Sequence, residues 1–250
     1  MPNNHQDHAP IAAARSTEGH ASRLLAASVL IINLVIIAIG IQSLLYSRAR
    51  TLEQVANSTT NLAFLIEQNV ADSARRIDLA LLNIVHTLEH ELATDGIDPQ
   101  EVGHVLDLQN GQLPEVDAFR VTDETGRLRW GKGVTPETTD SYADRPFFTA
   151  HQAAPGAAMV VGEPVLGKVS NIWVIPFTRS YRKPDGSLGG VINATVALSY
   201  FYDQLSTLKL GANGSVVVRH DNLGLATRYP ALDGPGGQVG DKTVSSEFIA

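Results

Sequence analysis

Between Arg23 and Arg48 the chain carries no charged side chain. The run Leu24–Tyr46, LLAASVLIINLVIIAIGIQSLLY, has 23 residues. At about 1.5 Å rise per residue a helix of that length covers roughly 34 Å, enough for a hydrocarbon core of about 30 Å. Its polar members, Ser28, Asn33, Gln42 and Ser43, are uncharged. A signal peptide would have a shorter apolar core followed by a small-residue cleavage site, and LYSRARTLEQ offers none. A buried core helix is rarely apolar on every face over such a length. The run is therefore read as a transmembrane helix spanning 24–46. Arg15 and Arg23 precede it while Arg48 and Arg50 come after, so the positive-inside rule does not orient it. Residues 1–23, rich in His, Ala and Asn with Pro2 and Pro10, read as a short disordered tail.

The chain beyond the span is acidic. From Thr51 onward there are 15 Lys+Arg against 24 Asp+Glu, a balance that repels phosphate backbones and disfavours nucleic-acid partners. With no cysteine, thiol catalysis, Cys-ligated zinc, iron–sulfur clusters and disulfides are excluded, although the compartment is not thereby decided.

From Ser22 to Thr94 there is no proline, and Gly40 is the only glycine. One helix can thus leave the membrane and continue for dozens of residues. Leu62, Leu65, Ile66, Val70, Ile77, Leu81, Val85, Leu88 and Leu92 recur every three or four residues and mark one apolar face. Asp95-Gly96 ends it, with glycine in the usual C′ role. Asp98-Pro99, with Glu101 behind, starts a second helix that closes by Asn110-Gly111. The periodicity then becomes strand-like: Ala118–Thr122 and Leu128–Trp130 flank the turn Asp123-Glu124-Thr125-Gly126, and Met159–Val165, Ile172–Thr178 and Gly190–Leu198 come next. A helix at about Tyr200–Leu208 and a strand pair, Ser215–Arg219 with Leu225–Tyr229, complete an α+β chain with an antiparallel sheet.

Three patterns could carry chemistry. His86-Thr87-Leu88-Glu89-His90 matches the H-x-x-E-H of inverted zinc peptidases, but both histidines lie off the apolar stripe and no third ligand is evident. A periplasmic zinc peptidase using His86, Glu89 and His90 stays as an alternative only, and no metal, cofactor or catalytic residue is expected. Gly234-Pro235-Gly236-Gly237-Gln238-Val239-Gly240 lacks the following helix of a nucleotide-binding loop and reads as a surface loop. Tyr142, Asp144, Arg145, Phe147 and Phe148 form the third. A guanidinium grips a carboxylate bidentately, and flanking aromatics exclude water and strengthen that bond. The competing reading pairs Arg145 with Asp144 or another acid and puts the phenylalanines in the core.

DRPFFTAH at Asp144–His151, VGEPVLGKVSNIWVIPFTRSY at Val161–Tyr181, PDGSLGGVINATVALSYF at Pro184–Phe201 and LGANGSVVVRHDNLGLATRYP at Leu210–Pro230 occur in that order after a membrane helix and a long helix. Together they resemble the double Cache sensor domains of bacterial receptors, of the type found in front of diguanylate cyclases and sensor histidine kinases. The resemblance covers roughly Thr51–Ala250. It implies a PAS-like fold of two stacked modules, here a membrane-distal module within 47–212 and the start of a truncated second module at 213–250. It also implies a place in the inner (plasma) membrane with the soluble part outside the cytoplasm, a homodimer through the long helix, and a cytoplasmic output domain. In the amino-acid-binding members an arginine followed by two aromatics holds the ligand carboxylate, as Arg145-Pro146-Phe147-Phe148 would. An aspartate on a later strand holds the amine, and the aligned position here is Thr195. The expected ligand is accordingly a small carboxylate, of the organic-acid kind, walled by Phe147, Phe148 and Tyr142 or Trp173. A dimerising module without a ligand is the remaining alternative.

Overall fold

The computed structural model describes residues 12–211 and 214–244. The chain divides into two compact units, Met1–Gln68 and Asn69–Ala250.

The first unit holds the N-terminal part of helix α1, Ala12–Ala93. Within it Ala27–Arg48, at mean hydropathy 2.4, is long and apolar enough to cross a membrane, and it overlaps the expected span apart from a few residues at either end. Ser28 Oγ donates to Leu25 O and Asn33 Nδ2 to Val29 O, both at 2.8 Å. These polar groups are satisfied by their own helix, as a segment facing lipid requires. The disorder expected over 1–23 is not what residues 12–23 show: they are helical, because AAARSTEGHASR is alanine-rich and extends a helix already nucleated by the apolar run. Residues 1–11 lie outside the described residues.

In the second unit α1 ends where Gly96, at φ +90°, donates to Glu91 O at 3.0 Å. Asp98 caps α2 (Pro99–Gln112) by accepting from Gln100 N at 2.8 Å. Eight strands come next among the described residues: β1 (Val116–Thr122), β2 (Leu128–Gly131), β3 (Val160–Val161), β4 (Val165–Leu166), β5 (Trp173–Arg182), β6 (Leu188–Ala197), β7 (Val216–Arg219) and β8 (Leu225–Tyr229). Helices α3 (Pro146–Ala153) and α4 (Leu198–Ser206) lie between them. The main antiparallel sheet has the order β2-β1-β6-β5-β3, with β4 also on β5. It is mixed α+β, as expected.

One face of this sheet carries Phe119, Val121, Phe177, Ile192, Ala194 and Val196, packed on Ile77, Ala80, Leu81, Ile84 and Leu88 of α1 and on Val102 and Leu106 of α2. Burying each large side chain is worth roughly 1.5–3 kcal/mol. Six of the nine stripe positions read from spacing, Val70, Ile77, Leu81, Val85, Leu88 and Leu92, belong to this core, with Ala74, Ala80 and Ile84 added, whereas Leu65 is exposed. Asp78 of α1 meets Arg179 of β5 through Nε–Oδ1 at 2.5 Å and Nη2–Oδ2 at 3.0 Å. Arg76 meets the buried Glu115 at 2.6 Å. The opposite face is covered by α3 and the loops around it, where Leu128, Tyr142, Phe147, Phe148 and Val191 form a second cluster.

The strands β7 and β8 pair with each other in a separate two-stranded sheet, as the sequence pattern suggests. They do not stand free: Ala226 joins the main core, and Tyr229 meets Tyr202 of α4 edge-on at 5.5 Å between ring centroids.

Candidate functional site

The α3-covered face of the sheet is unlike the α1 face because its floor is polar. Side-chain alternation sends Phe119, Ile192 and Phe177 toward α1 and therefore Arg120, Asn193 and Thr178 the other way. Register makes these three one row, since Arg120 sits opposite Asn193 and Asn193 opposite Thr178. All three are buried, Arg120 at 3 % exposure. Directly opposite residues in such pairs lie about 5 Å apart at Cβ. Next to the row on β2 is Gly131 at φ +125°, where a Cβ would come within 2.3 Å of Phe119 O and 3.1 Å of Arg120 Cγ. Only glycine can approach the Phe119 carbonyl and the Arg120 backbone this closely. Arg120 Nε then donates to Lys132 O at 3.0 Å.

The roof comes from 141–153. The β1–β2 turn grips it: Tyr142 N donates to Gly126 O at 2.7 Å, and Arg127 bridges to Ser141. Arg145 has the extended backbone that a following proline enforces, and Pro146 opens α3 at N1. The sequence pattern assigns no element to this stretch, because eight residues with two adjacent phenylalanines carry no clear period. Phe147, Phe148 and His151 face inward, and Tyr142 meets Phe147 edge-on at 5.6 Å. Burial pushes the Tyr142 phenol up, while the Arg120 guanidinium, the Asn193 amide and the Arg145 guanidinium beside it act the other way. Tyr142 thus joins roof and floor. The fully buried His151 makes a 3.0 Å hydrogen bond through Nε2 with Thr178 Oγ1. Since Thr178 Oγ1 donates to Val160 O at 3.1 Å, it accepts from His151. The proton therefore sits on Nε2, and the buried Nδ1 lone pair has no partner. Burial, with Thr178 opposing it and Arg179 reinforcing it, holds the imidazole below its ordinary pKa.

Of the residues singled out from sequence, Tyr142, Phe147, Phe148 and Thr195 are brought together on this face. Thr195 lies two residues along β6 from Asn193, buried, its hydroxyl donating to Ala118 O at 3.2 Å. Arg145 is at the rim, where Nη2 donates to Leu166 O at 2.9 Å. Asp144 is exposed and pairs with Lys168 at 2.6 Å, whose ammonium holds its carboxyl below the usual carboxylate range. Of the competing reading, the pairing of Arg145 with Asp144 is not the one made, but Phe147 and Phe148 do fill a buried apolar cluster. Trp173 belongs elsewhere: as an odd-numbered β5 residue it has the parity of Phe177, away from Thr178. It lines a separate cavity of about 240 Å³ with Leu198, Tyr202, Leu225 and Val239. Sequence reasoning missed Arg120, Asn193, Thr178 and His151. A charged residue inside AFRVT was a usable signal, since a strand buried on both faces has no solvent for it.

The peptidase alternative fares differently. His86 and His90 are off the buried stripe and stack at 6.4 Å, while Glu89 accepts from Arg182 N at 2.9 Å. Among the described residues no group of three His, Asp or Glu could hold a metal.

No family model and no curated protein matches the sequence. Solved structures do match. The extracellular domain of the histidine kinase candidate rpHK1S-Z16 is 24 % identical at TM-score 0.63, over 74 % of this chain and 74 % of that one. The ligand-binding domain of Campylobacter jejuni chemoreceptor Tlp3 in complex with L-valine is 13 % identical at TM-score 0.53, over 70 % and 71 %. The sensory domain of the same receptor with isoleucine bound is 13 % identical at 0.53, over 73 % and 76 %. The fold of this chain is thus shared with these extracellular sensor and ligand-binding domains.

Proposed function

We propose that the chain is the ligand-sensing part of a membrane receptor, with α1 as its anchor and the soluble unit outside the cytoplasm. The observation that carries this is the polar floor under an aromatic roof on the α3 face, in a fold shared with domains solved with small molecules bound. Arg145, Phe147, Phe148, Tyr142, Asp144 and Thr195 serve the pocket, the aromatics excluding water and the arginine gripping a carboxylate at the rim. Binding biases the sheet, and the ion pairs from Arg179 and Glu115 to α1 pass that bias along the helix toward an output domain. That output is of the diguanylate-cyclase type or, as in the kinase candidate above, of the histidine-kinase type. Residues 47–212 then form the sensing module, 213–250 begin a second one, and the inner membrane is the site of action.

The ligand is a small carboxylate without an essential amine. A threonine in place of an aspartate at 195 removes a charge-assisted hydrogen bond of about 1.5–3 kcal/mol, which lowers amine affinity ten- to a hundredfold. Thermal-shift titration of the protein with organic acids and free amino acids should give larger shifts for the acids, and Arg145→Ala should weaken them without lowering the ligand-free Tm. Shifts chiefly from amino acids, or shifts untouched by Arg145→Ala, would show this assignment of the site to be wrong.

A further inference from the structure

Among the described residues the buried charged side chains are Glu115 and Arg120. Glu115 is paired, at 2.6 Å, with Arg76 on the α1 side of the sheet. Arg120 makes no ion pair with any described Asp or Glu. A buried guanidinium without an acid is costly to keep, because the transfer from water is not offset by a counter-charge. Its Nε is committed to Lys132 O, which sets the orientation of the planar fork. Asn193 across the ladder has a buried Oδ1 without a hydrogen-bond partner. Tyr142, 4 % exposed, closes the group from the roof. The guanidinium fork and the phenol are the parts of an anion site, with no buried acid beside them, while the Asn193 amide oxygen is left as an acceptor for a donor group of the ligand.

We propose that Arg120 is the anion anchor of the sensor pocket, receiving the ligand's carboxylate on the floor of the sheet between Tyr142 and Asn193. Arg145 meets the same carboxylate from the rim. The ligand class follows from the charges: with one uncompensated cation buried on this face and no buried acid, a net anion is favoured, and a zwitterion brings an ammonium that meets no counter-charge there, only the amide oxygen of Asn193. A fork preset by its Nε bond matches two carboxylate oxygens bidentately. This inference rests on the sensor reading above.

Calorimetric titration of the full chain in detergent micelles tests both. The probes are mono- and dicarboxylates of two to six carbons, each beside its amide and its 2-amino counterpart. At least one carboxylate should bind wild type, its amide should not, and its 2-amino form should bind at least tenfold more weakly. Arg120→Gln should lose at least a hundredfold in affinity while its ligand-free Tm stays level or rises, since the variant removes an unpaired buried charge. Arg120→Lys, which keeps the charge but not the fork, should lose less. Carboxylate binding that survives Arg120→Gln within threefold, with a lowered Tm, would make Arg120 a structural residue and leave the sensor reading standing. Amides or amino acids binding as tightly as the acids would overturn the ligand class. Failure of every probe on wild type would overturn the sensor reading with it.

Discussion

His151 illustrates how much one side chain's surroundings alter its behaviour. It is fully buried, neutral, and donates to a threonine that is itself spoken for. Its folded-state pKa lies below the ordinary 6.5, chiefly because burial penalises the charged form. Below pH 6.5 the unfolded chain therefore binds a proton that the folded one resists. Stability should be intact above about pH 6.5, fall as pH drops from there toward the folded pKa, and level off beneath it. Urea midpoints of wild type and His151→Gln at pH 7.5, 6.5 and 5.5 check this, and the variant should show the shallower decline. A constant gap between the two across that range would mean that His151 does not titrate with folding. Asp144, Asp185 and Asp241 have lowered pKa values, so their contribution is lost only nearer pH 4 and leaves this window clear.

At the scale of elements, the attachment of α1 to the sheet combines an apolar stripe with one two-pronged ion pair. The Arg179 side chain is 16 % exposed and that of Asp78 27 %, so the pair is partly shielded from water. Asp78→Ala strands a half-buried guanidinium and should cost about 2 kcal/mol. Arg75→Ala removes a pair whose side chains are 75 % and 55 % exposed, and should change the urea midpoint by no more than experimental scatter. Equal losses in the two variants would refute this ranking. The same element is the most legible from sequence: the six core positions from Val70 to Leu92, the Asp95-Gly96 stop and the Asp98 cap all follow from period and capping chemistry. Helix α3 is not legible. Its eight residues are held by Pro146 at N1 and by the docking of Phe147, Phe148 and His151 on the sheet, which no local pattern records.

For the whole molecule, the proposal places the soluble unit across the membrane from the N-terminus. A reporter active only in the periplasm, fused after Ala250, should be active, and a cytoplasm-only reporter at the same point should be silent; the reverse pattern would place the soluble unit in the cytoplasm. Charge cannot make this prediction, since the arginines flanking the span balance.

The sequence by itself determined the apolar span, the long helix, the hairpins and the antiparallel α+β class. Each of these is written in a period of 3.6 or 2, in a turn residue or in a run length, and so depends only on near neighbours. It also singled out the Arg-Pro-Phe-Phe roof. Only the tertiary structure decided what lies beneath. Arg120, Asn193 and Thr178 are far apart along the chain and become one row because β1, β6 and β5 are adjacent in a register that turns all three to the same face. The same alternation carries Trp173 to the other side and into a different cavity. Whether a side chain is core, rim or floor is set by strand pairing, and strand pairing is a long-range property that no window of sequence contains.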